Sequence, residues 1–207
     1  LPLRVAVLAS GAGTNLQALL DQVHGSEGIE IVGVASDKPS ALASERARIA
    51  GVPVAAFPAA EYGDRTARDL AMAAWLLERG TQLVVLAGYM QILGREFLAL
   101  FPAAVINIHP SLLPSFPGLD AVAQALAYGV TVFGVTVHFV DEGVDTGPVI
   151  LQRAIELPDA READTVLARL HAIEHELLPE TVRLIARGAV RIDPENPRRV
   201  LVSDKVA

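Results

Sequence analysis

Short runs of branched apolar residues recur along this chain, separated by longer stretches of helical spacing, and that alternation limits the fold more than any other feature. The runs occupy residues 5–9, 29–35, 52–57, 83–87, 105–108, 131–140 and 149–155. Near-continuous segments such as Ile31-Val32-Gly33-Val34 suit strands covered on both faces, and strands that alternate with helices imply a parallel sheet. The spacing predicts helices over 15–23, 40–50, 65–79 and 119–128, the last closed by Gly129 as C-cap. Asp164 is expected to cap a helix from Thr165, with Val166, Leu167, Leu170, Ile173, Leu177 and Leu178 on its apolar positions. Pro179 is expected to kink or restart that helix. After Gly188 the chain reads as a short strand, a Pro-rich turn over 193–197 and a final Val200-Leu201-Val202 pairing at an edge. The expected fold class is α/β: a mostly parallel, doubly wound, Rossmann-like sheet flanked by helices. No repeat or linker divides the chain, so a single domain over 1–207 is expected.

The charge balance narrows the function. With 17 basic and 24 acidic residues the net charge is −7, which argues against a protein that coats nucleic acid, because phosphate binding needs a basic face. An anionic ligand has to be met locally. The absence of cysteine removes thiolate nucleophiles, iron–sulfur clusters and Cys-ligated zinc, and nothing asks for an oxidising compartment. Although 52% of residues are hydrophobic, no run approaches the ~18 apolar residues of a membrane span. Leu1-Pro2-Leu3-Arg4 lacks a signal-peptide layout, so a compact cytoplasmic protein without nucleic-acid or membrane partners is expected.

Directly after the first strand comes Ser10-Gly11-Ala12-Gly13-Thr14-Asn15. Small residues entering a helix let a ligand approach the backbone, and the free amides and dipole of the first helical turn favour an anion. Leu16 stands where the dinucleotide fingerprint needs its third glycine, and no Walker motif occurs. A single phosphate held by the backbone with Thr14 and Asn15 fits this loop, against the plainer reading of a turn whose Thr14 or Asn15 caps the helix.

The fifth run ends in Asn107-Ile108-His109-Pro110-Ser111-Leu112-Leu113-Pro114. Strand alternation puts Asn107 and His109 on one face at the strand's C-terminal end, where open α/β sheets bind ligands. A carboxamide can donate to a developing oxyanion and an imidazole can exchange protons with an amine, a pairing suited to acyl transfer. Pro110, Pro114 and Pro117 restrict the backbone that follows. Asp145, ahead of Thr146-Gly147-Pro148, is the candidate to orient the imidazole, while Asp141 and Glu142 read as solvated turn residues. His138, inside a strand, reads as a satisfied core or supporting histidine. Zinc held by His109, His138 and Asp145 is conceivable, yet no spacing selects it.

Taken together, residues 10–18, Ala87-Gly88-Tyr89-Met90-Gln91-Ile92-Leu93, the Asn107 to Pro114 segment and Asp145-Thr146-Gly147-Pro148-Val149-Ile150 resemble the phosphoribosylglycinamide formyltransferases of de novo purine synthesis. The likeness runs over about residues 4 to 190. It implies an antiparallel C-terminal part, a phosphate-binding half over 1–100 and a catalytic and folate half over 101–207. It also implies 10-formyltetrahydrofolate as co-substrate, glycinamide ribonucleotide as acceptor, no metal, and a monomer or homodimer.

On matching residues the resemblance makes Asn107, His109 and Asp145 catalytic. It assigns Gly13, Thr14, Asn15 and Glu174 to the ribonucleotide, and Arg65, Met90, Gln91, Ile92, Leu93, Phe97, Leu98, Asn107 and Val140 to folate. Two positions depart from the pattern: Gln91 stands where many relatives carry Arg, and His171 where relatives carry Gln. Residues 120–122 also lack histidines found in some relatives.

The nearest alternatives are formyl transfer to an amino-sugar nucleotide or charged tRNA, and formyltetrahydrofolate hydrolysis. The acidic charge speaks against tRNA, and 207 residues are expected to leave no room for the extra C-terminal β domain of methionyl-tRNA formyltransferases. A start of the first strand near residue 4 speaks against a regulatory domain ahead of it. A non-catalytic sugar-phosphate or folate binder on the same fold is the different-class alternative, weakened by the intact Asn107, His109 and Asp145. A nicotinamide dehydrogenase using Asp37 on a ribose hydroxyl is set aside by Leu16.

Overall fold

A computed structural model describes residues 1–203, which form two compact units divided between Asn107 and Ile108, inside one strand. In the first unit the apolar runs become β1 (Leu3–Leu8), β2 (Ile29–Ser36), β3 (Val54–Ala56), β4 (Leu83–Leu86) and β5 (Val105–His109). They pair in the order β3-β2-β1-β4-β5, all parallel. Val7 lies opposite Val34 on one side and Val85 on the other, so branched side chains stack across neighbouring strands.

The connecting helices are α1 (Thr14–Gln22), α2 (Leu42–Ile49), α3 (Arg65–Glu78) and α4 (Arg95–Leu100), with a single 3-10 turn at Ala59–Glu61. Leu8, Leu16, Leu19, Met72, Leu76 and Phe97 are fully buried between helices and strands; each such side chain contributes about 1.5–3 kcal/mol relative to exposure. Asp64 starts α3 as a true N-cap, its carboxylate accepting the Ala67 amide at 2.8 Å.

The second unit contains α5 (Ala121–Tyr128), β6 (Val132–Phe139), β7 (Val149–Glu156), α6 (Ala163–Ala186), β8 (Val190–Asp193) and β9 (Asn196–Val202). β6 and β7 form an antiparallel pair with Val135 opposite Arg153, β7 meets β9 in parallel at Val149 and Arg199, and β9 returns antiparallel to β8. The antiparallel C-terminal part is therefore present. Gly129 ends α5 in the left-handed conformation at φ 86°, as a C-cap glycine does.

Three sequence expectations change. Residues 200–202 do not lie at an edge, because β9 sits between β7 and β8. Asp164 is not a cap: Glu162 holds that position without a side-chain cap bond, and Asp164 lies in the first turn, where its charge suits the helix dipole. Of the two outcomes expected at Pro179 the restart does not occur: α6 runs through it unbroken, and the lost backbone donor is outweighed by burial of Leu177, Leu178 and Val182 around it. The spacing offers no expectation for α4 or the turn at Ala59–Glu61, each too short to show helical periodicity.

Candidate active site

The turn after β1 enters α1 through Gly13, whose φ of 73° and ψ of 30° are left-handed. A Cβ there would stand 2.6 Å from the Ala43 Cα, so both backbone conformation and packing demand glycine. Gly13 is the N-cap residue and offers no side-chain cap bond, so neither Thr14 nor Asn15 serves as the cap. No acidic residue occupies the first turn, leaving the positive end of the helix uncompensated by local charge. From α2, Arg46 donates to the Ala12 carbonyl at 2.8 Å and the Gln17 carboxamide at 3.0 Å, tying the loop to the helix it enters. The loop is tied further by Ser10, whose amide donates to Gly88 and whose hydroxyl accepts the Met90 amide.

Elsewhere in the first unit a cavity of about 510 Å³ is lined by Arg65, Met90, Gln91 and Ile92, four of the nine residues assigned to folate, together with Tyr62 and Arg68 among others. Met90 and Ile92 expose more than half their surface. Leu93, Phe97 and Leu98 do not line it; Phe97 has no exposed surface and packs its ring on Phe101. Gln91 does not hang free in the cavity. Its carboxamide accepts from Arg68 at 2.9 Å and donates to Asp37 at 3.1 Å. Arg68 is itself buried and paired with fully buried Asp69 at 2.7 Å, whose other oxygen accepts the Gly94 amide. Burial pushes the neighbouring Tyr89 hydroxyl up, against the lowering influence of the Arg68 charge.

The second unit carries the titratable cluster. β5 ends in His109, with Asn107 two residues earlier and half-buried beside Leu86 of β4. His109 is 5% exposed, and its Nε2 lies 2.9 Å from the Phe116 carbonyl oxygen. Its Nδ1 faces Asp145 Oδ2 at 3.3 Å. Both oxygens are acceptors, so each ring nitrogen has a partner to which an N–H can point.

Asp145 also accepts the Gly118 amide at 2.8 Å, and its Oδ1 faces Nε2 of buried His138 at 3.6 Å. Burial raises the Asp145 carboxyl pKa, but the His138 hydrogen bond, the Gly118 amide and the charges of His109 and His138 together bring it below the usual carboxylate value. His138 Nδ1 meets the Phe139 carbonyl at 2.8 Å, so this ring supports the far side of Asp145.

The proline-bearing loop is held from β6 and β7. Thr136 donates to the Ser111 carbonyl and accepts the Leu113 amide, while Gln152 donates to the Leu113 carbonyl. Of the three residues weighed as zinc ligands, Asp145 faces His109 at 3.3 Å and His138 at 3.6 Å, and among the described residues no group of three His, Cys, Asp or Glu side chains has metal-holding geometry. Val140 follows β6, half-buried. On α6, Glu174 is 5% exposed, and the His171 and His175 rings stack one turn apart at 6.2 Å.

A family model described as "Formyl transferase" matches residues 3–182, nearly nine-tenths of the chain. The chain belongs to the formyl transferase family. The phosphoribosylglycinamide formyltransferase of Bacillus subtilis (strain 168) is 40% identical over 181 residues, covering 87% of this chain and 93% of that protein. A crystal structure of glycinamide ribonucleotide transformylase 1 from Symbiobacterium toebii superposes with a TM-score of 0.94 at 46% identity, covering 98% of this chain and 95% of that one. The trifunctional purine biosynthetic protein adenosine-3 of Drosophila pseudoobscura pseudoobscura is 44% identical over 191 residues, and this chain spans 14% of its length.

Within this formyl transferase, sequence reasoning passed over Arg46, Arg68 and the contact between His138 and Asp145. For Arg68 one signal existed: the adjacent Asp69 and the missing cation at Gln91 together make a buried arginine affordable.

Proposed function

We infer that this formyl transferase moves the formyl group of 10-formyltetrahydrofolate onto the amine of 5'-phosphoribosylglycinamide, giving 5'-phosphoribosyl-N-formylglycinamide and tetrahydrofolate in de novo purine biosynthesis. The single observation that carries the residue-level reading is the pairing of His109 Nδ1 with Asp145 Oδ2 at 3.3 Å on a carboxylate kept ionised by its neighbours.

The ribonucleotide phosphate binds at the amides of Gly13, Thr14 and Asn15, with Glu174 contributing on the same substrate. The amine attacks the formyl carbon, and the Asn107 carboxamide donates to the oxygen as negative charge develops on it. As the tetrahedral adduct collapses, the bond to folate N10 breaks. The proton lost by the attacking amine passes to N10 by way of His109, and Asp145 stabilises the ring while it carries that proton. Folate binding falls to Met90, Gln91 and Ile92 at the cavity, with Leu93, Phe97, Leu98 and Asn107 of the first unit and Val140 of the second also assigned to it. Because Gln91 is held between Arg68 and Asp37, Arg65 supplies the cation for a folate carboxylate. The chain works as one domain, a phosphate-binding half over 1–100 and a catalytic and folate half over 101–207. It acts in the cytoplasm, as a monomer or homodimer.

The test follows the absorbance change of folate deformylation with and without glycinamide ribonucleotide, in the wild type and in His109→Ala. Turnover that needs the ribonucleotide and collapses at least 100-fold in the variant is expected, roughly the effect of losing a positioned acid–base group. Deformylation indifferent to the ribonucleotide refutes the transferase reading.

A further inference from the structure

We propose that Arg198, on the hairpin of β8 and β9, is a positioning residue for Asp145, its guanidinium strapping down the loop that presents this carboxylate. The proposal rests on the reading of Asp145 as the partner of His109 in formyl transfer.

Between β6 and β7 the chain turns through residues 141–148. The turn is closed at its base, where the Phe139 amide donates to the Pro148 carbonyl at 2.9 Å. So close do the two ends come that a Cβ on Gly147 would stand 1.7 Å from the Phe139 carbonyl oxygen. Asp141 organises the interior, its Oδ1 accepting the Thr146 hydroxyl at 2.6 Å and the Gly143 amide at 3.1 Å. Asp145 sits near the tip with φ 53°, a left-handed conformation that an L-residue holds only while its surroundings insist.

Thr146, the residue after Asp145, is gripped at its carbonyl from 52 positions along the chain, by Arg198 Nη1. The same nitrogen stands 3.9 Å from Asp141 Oδ2, so one guanidinium spans the carboxylate that shapes the loop and the peptide that follows Asp145. Its own base is fixed: the Arg198 amide donates to Asn196 Oδ1 at 3.0 Å, and Arg199 beside it registers with Val149 of β7 while pairing with the Asp193 carboxylate.

An exposed arginine bond of this kind adds little to global stability, so its consequence is local. Without it the turn after Asp145 relaxes, the Gly118 amide and His109 lose their aim on the carboxylate, and the transition state loses an oriented charge. A displacement of the order of 1 Å at a reacting group costs up to about 100-fold in rate.

The experiment measures kcat, KM for both substrates and the pH profile in Arg198→Ala, Arg198→Lys and, on the same hairpin, Arg191→Ala. Arg198→Ala is expected to lower kcat about 10- to 100-fold with KM within about twofold. The acid limb of kcat/KM should move to higher pH, because Asp145, faced by His109, His138 and the Gly118 amide, loses part of what keeps it ionised. Arg198→Lys restores part of kcat, added guanidinium rescues the Ala variant, and Arg191→Ala behaves as wild type. Wild-type kcat and pH profile in Arg198→Ala overturn the proposal, as does a loss that guanidinium leaves untouched and that follows a fall in Tm. Asp145→Asn with full ribonucleotide-dependent turnover instead overturns the reading of Asp145 on which the proposal rests.

Discussion

Replacing Asp145 by Asn changes charge while keeping shape, and the geometry sets the size of the effect. The carboxamide oxygen still accepts the Gly118 amide, whose donor lies 2.8 Å away, so the loop has no reason to move. What disappears is the attraction between a full negative charge and a proton on His109 across 3.3 Å, about 5 kcal/mol at an effective dielectric near 20. A neutral amide dipole recovers part of that, leaving a deficit of about 3 kcal/mol on the transition state, or roughly 100-fold in kcat. Steady-state deformylation with saturating ribonucleotide reads it directly. Because the loss falls on the charged ring, KM for the ribonucleotide should hold while kcat and kcat/KM drop together.

Unchanged kcat, or a loss confined to KM, would show that Asp145 does not act through His109. The same variant tests stability in acid. The folded carboxyl lies below its ordinary value, so it stabilises the fold at pH above the unfolded carboxylate range, and that contribution fades as pH falls through the lower folded value. The difference in Tm between wild type and variant should therefore be largest near neutrality and shrink in strong acid.

Two other perturbations bear on the first unit. Gly13→Ala sets a Cβ 2.6 Å from the Ala43 Cα at a φ of 73°; thermal unfolding should reveal a loss of at least about 2 kcal/mol, and the KM for the ribonucleotide should rise more than kcat falls. Arg68→Met strands the Asp69 carboxylate, which has no exposed surface, at a cost of about 3–5 kcal/mol. Calorimetry should register that as a drop of roughly 6–20 °C in Tm, partly recovered when Asp69→Asn removes the stranded charge; an unshifted Tm would mean the pair carries no net weight.

What the sequence showed was periodicity and local backbone chemistry. Ile31-Val32-Gly33-Val34 is legible as a buried strand because branched residues with no polar alternation have few other uses, and Gly129 is legible as a stop because a C-cap favours it. Asn107 and His109 were legible through the two-residue period of a strand. Long-range partners were not. For Arg68 the adjacent Asp69 was in plain view, but only the folded unit brings Gln91 and the Ile92 carbonyl, more than twenty residues away, against its guanidinium. The same holds for Arg198, whose carbonyl partner lies 52 residues away. The restart expected at Pro179 fails because a helix-breaking rule concerns one hydrogen bond, whereas α6 is held by the burial of a whole face.

The left-handed backbone at Asp145 makes this position answer to two independent filters at once. Among side chains other than glycine, that region of φ admits asparagine and aspartate most readily, because their short polar groups bond locally. The proposed formyl transfer asks for a carboxylate here, which only aspartate and glutamate provide. The two sets share one member. If Asp145 serves as proposed, glutamate would satisfy the reaction but not the turn, asparagine the turn but not the reaction, and a single-step change to either loses one of the two.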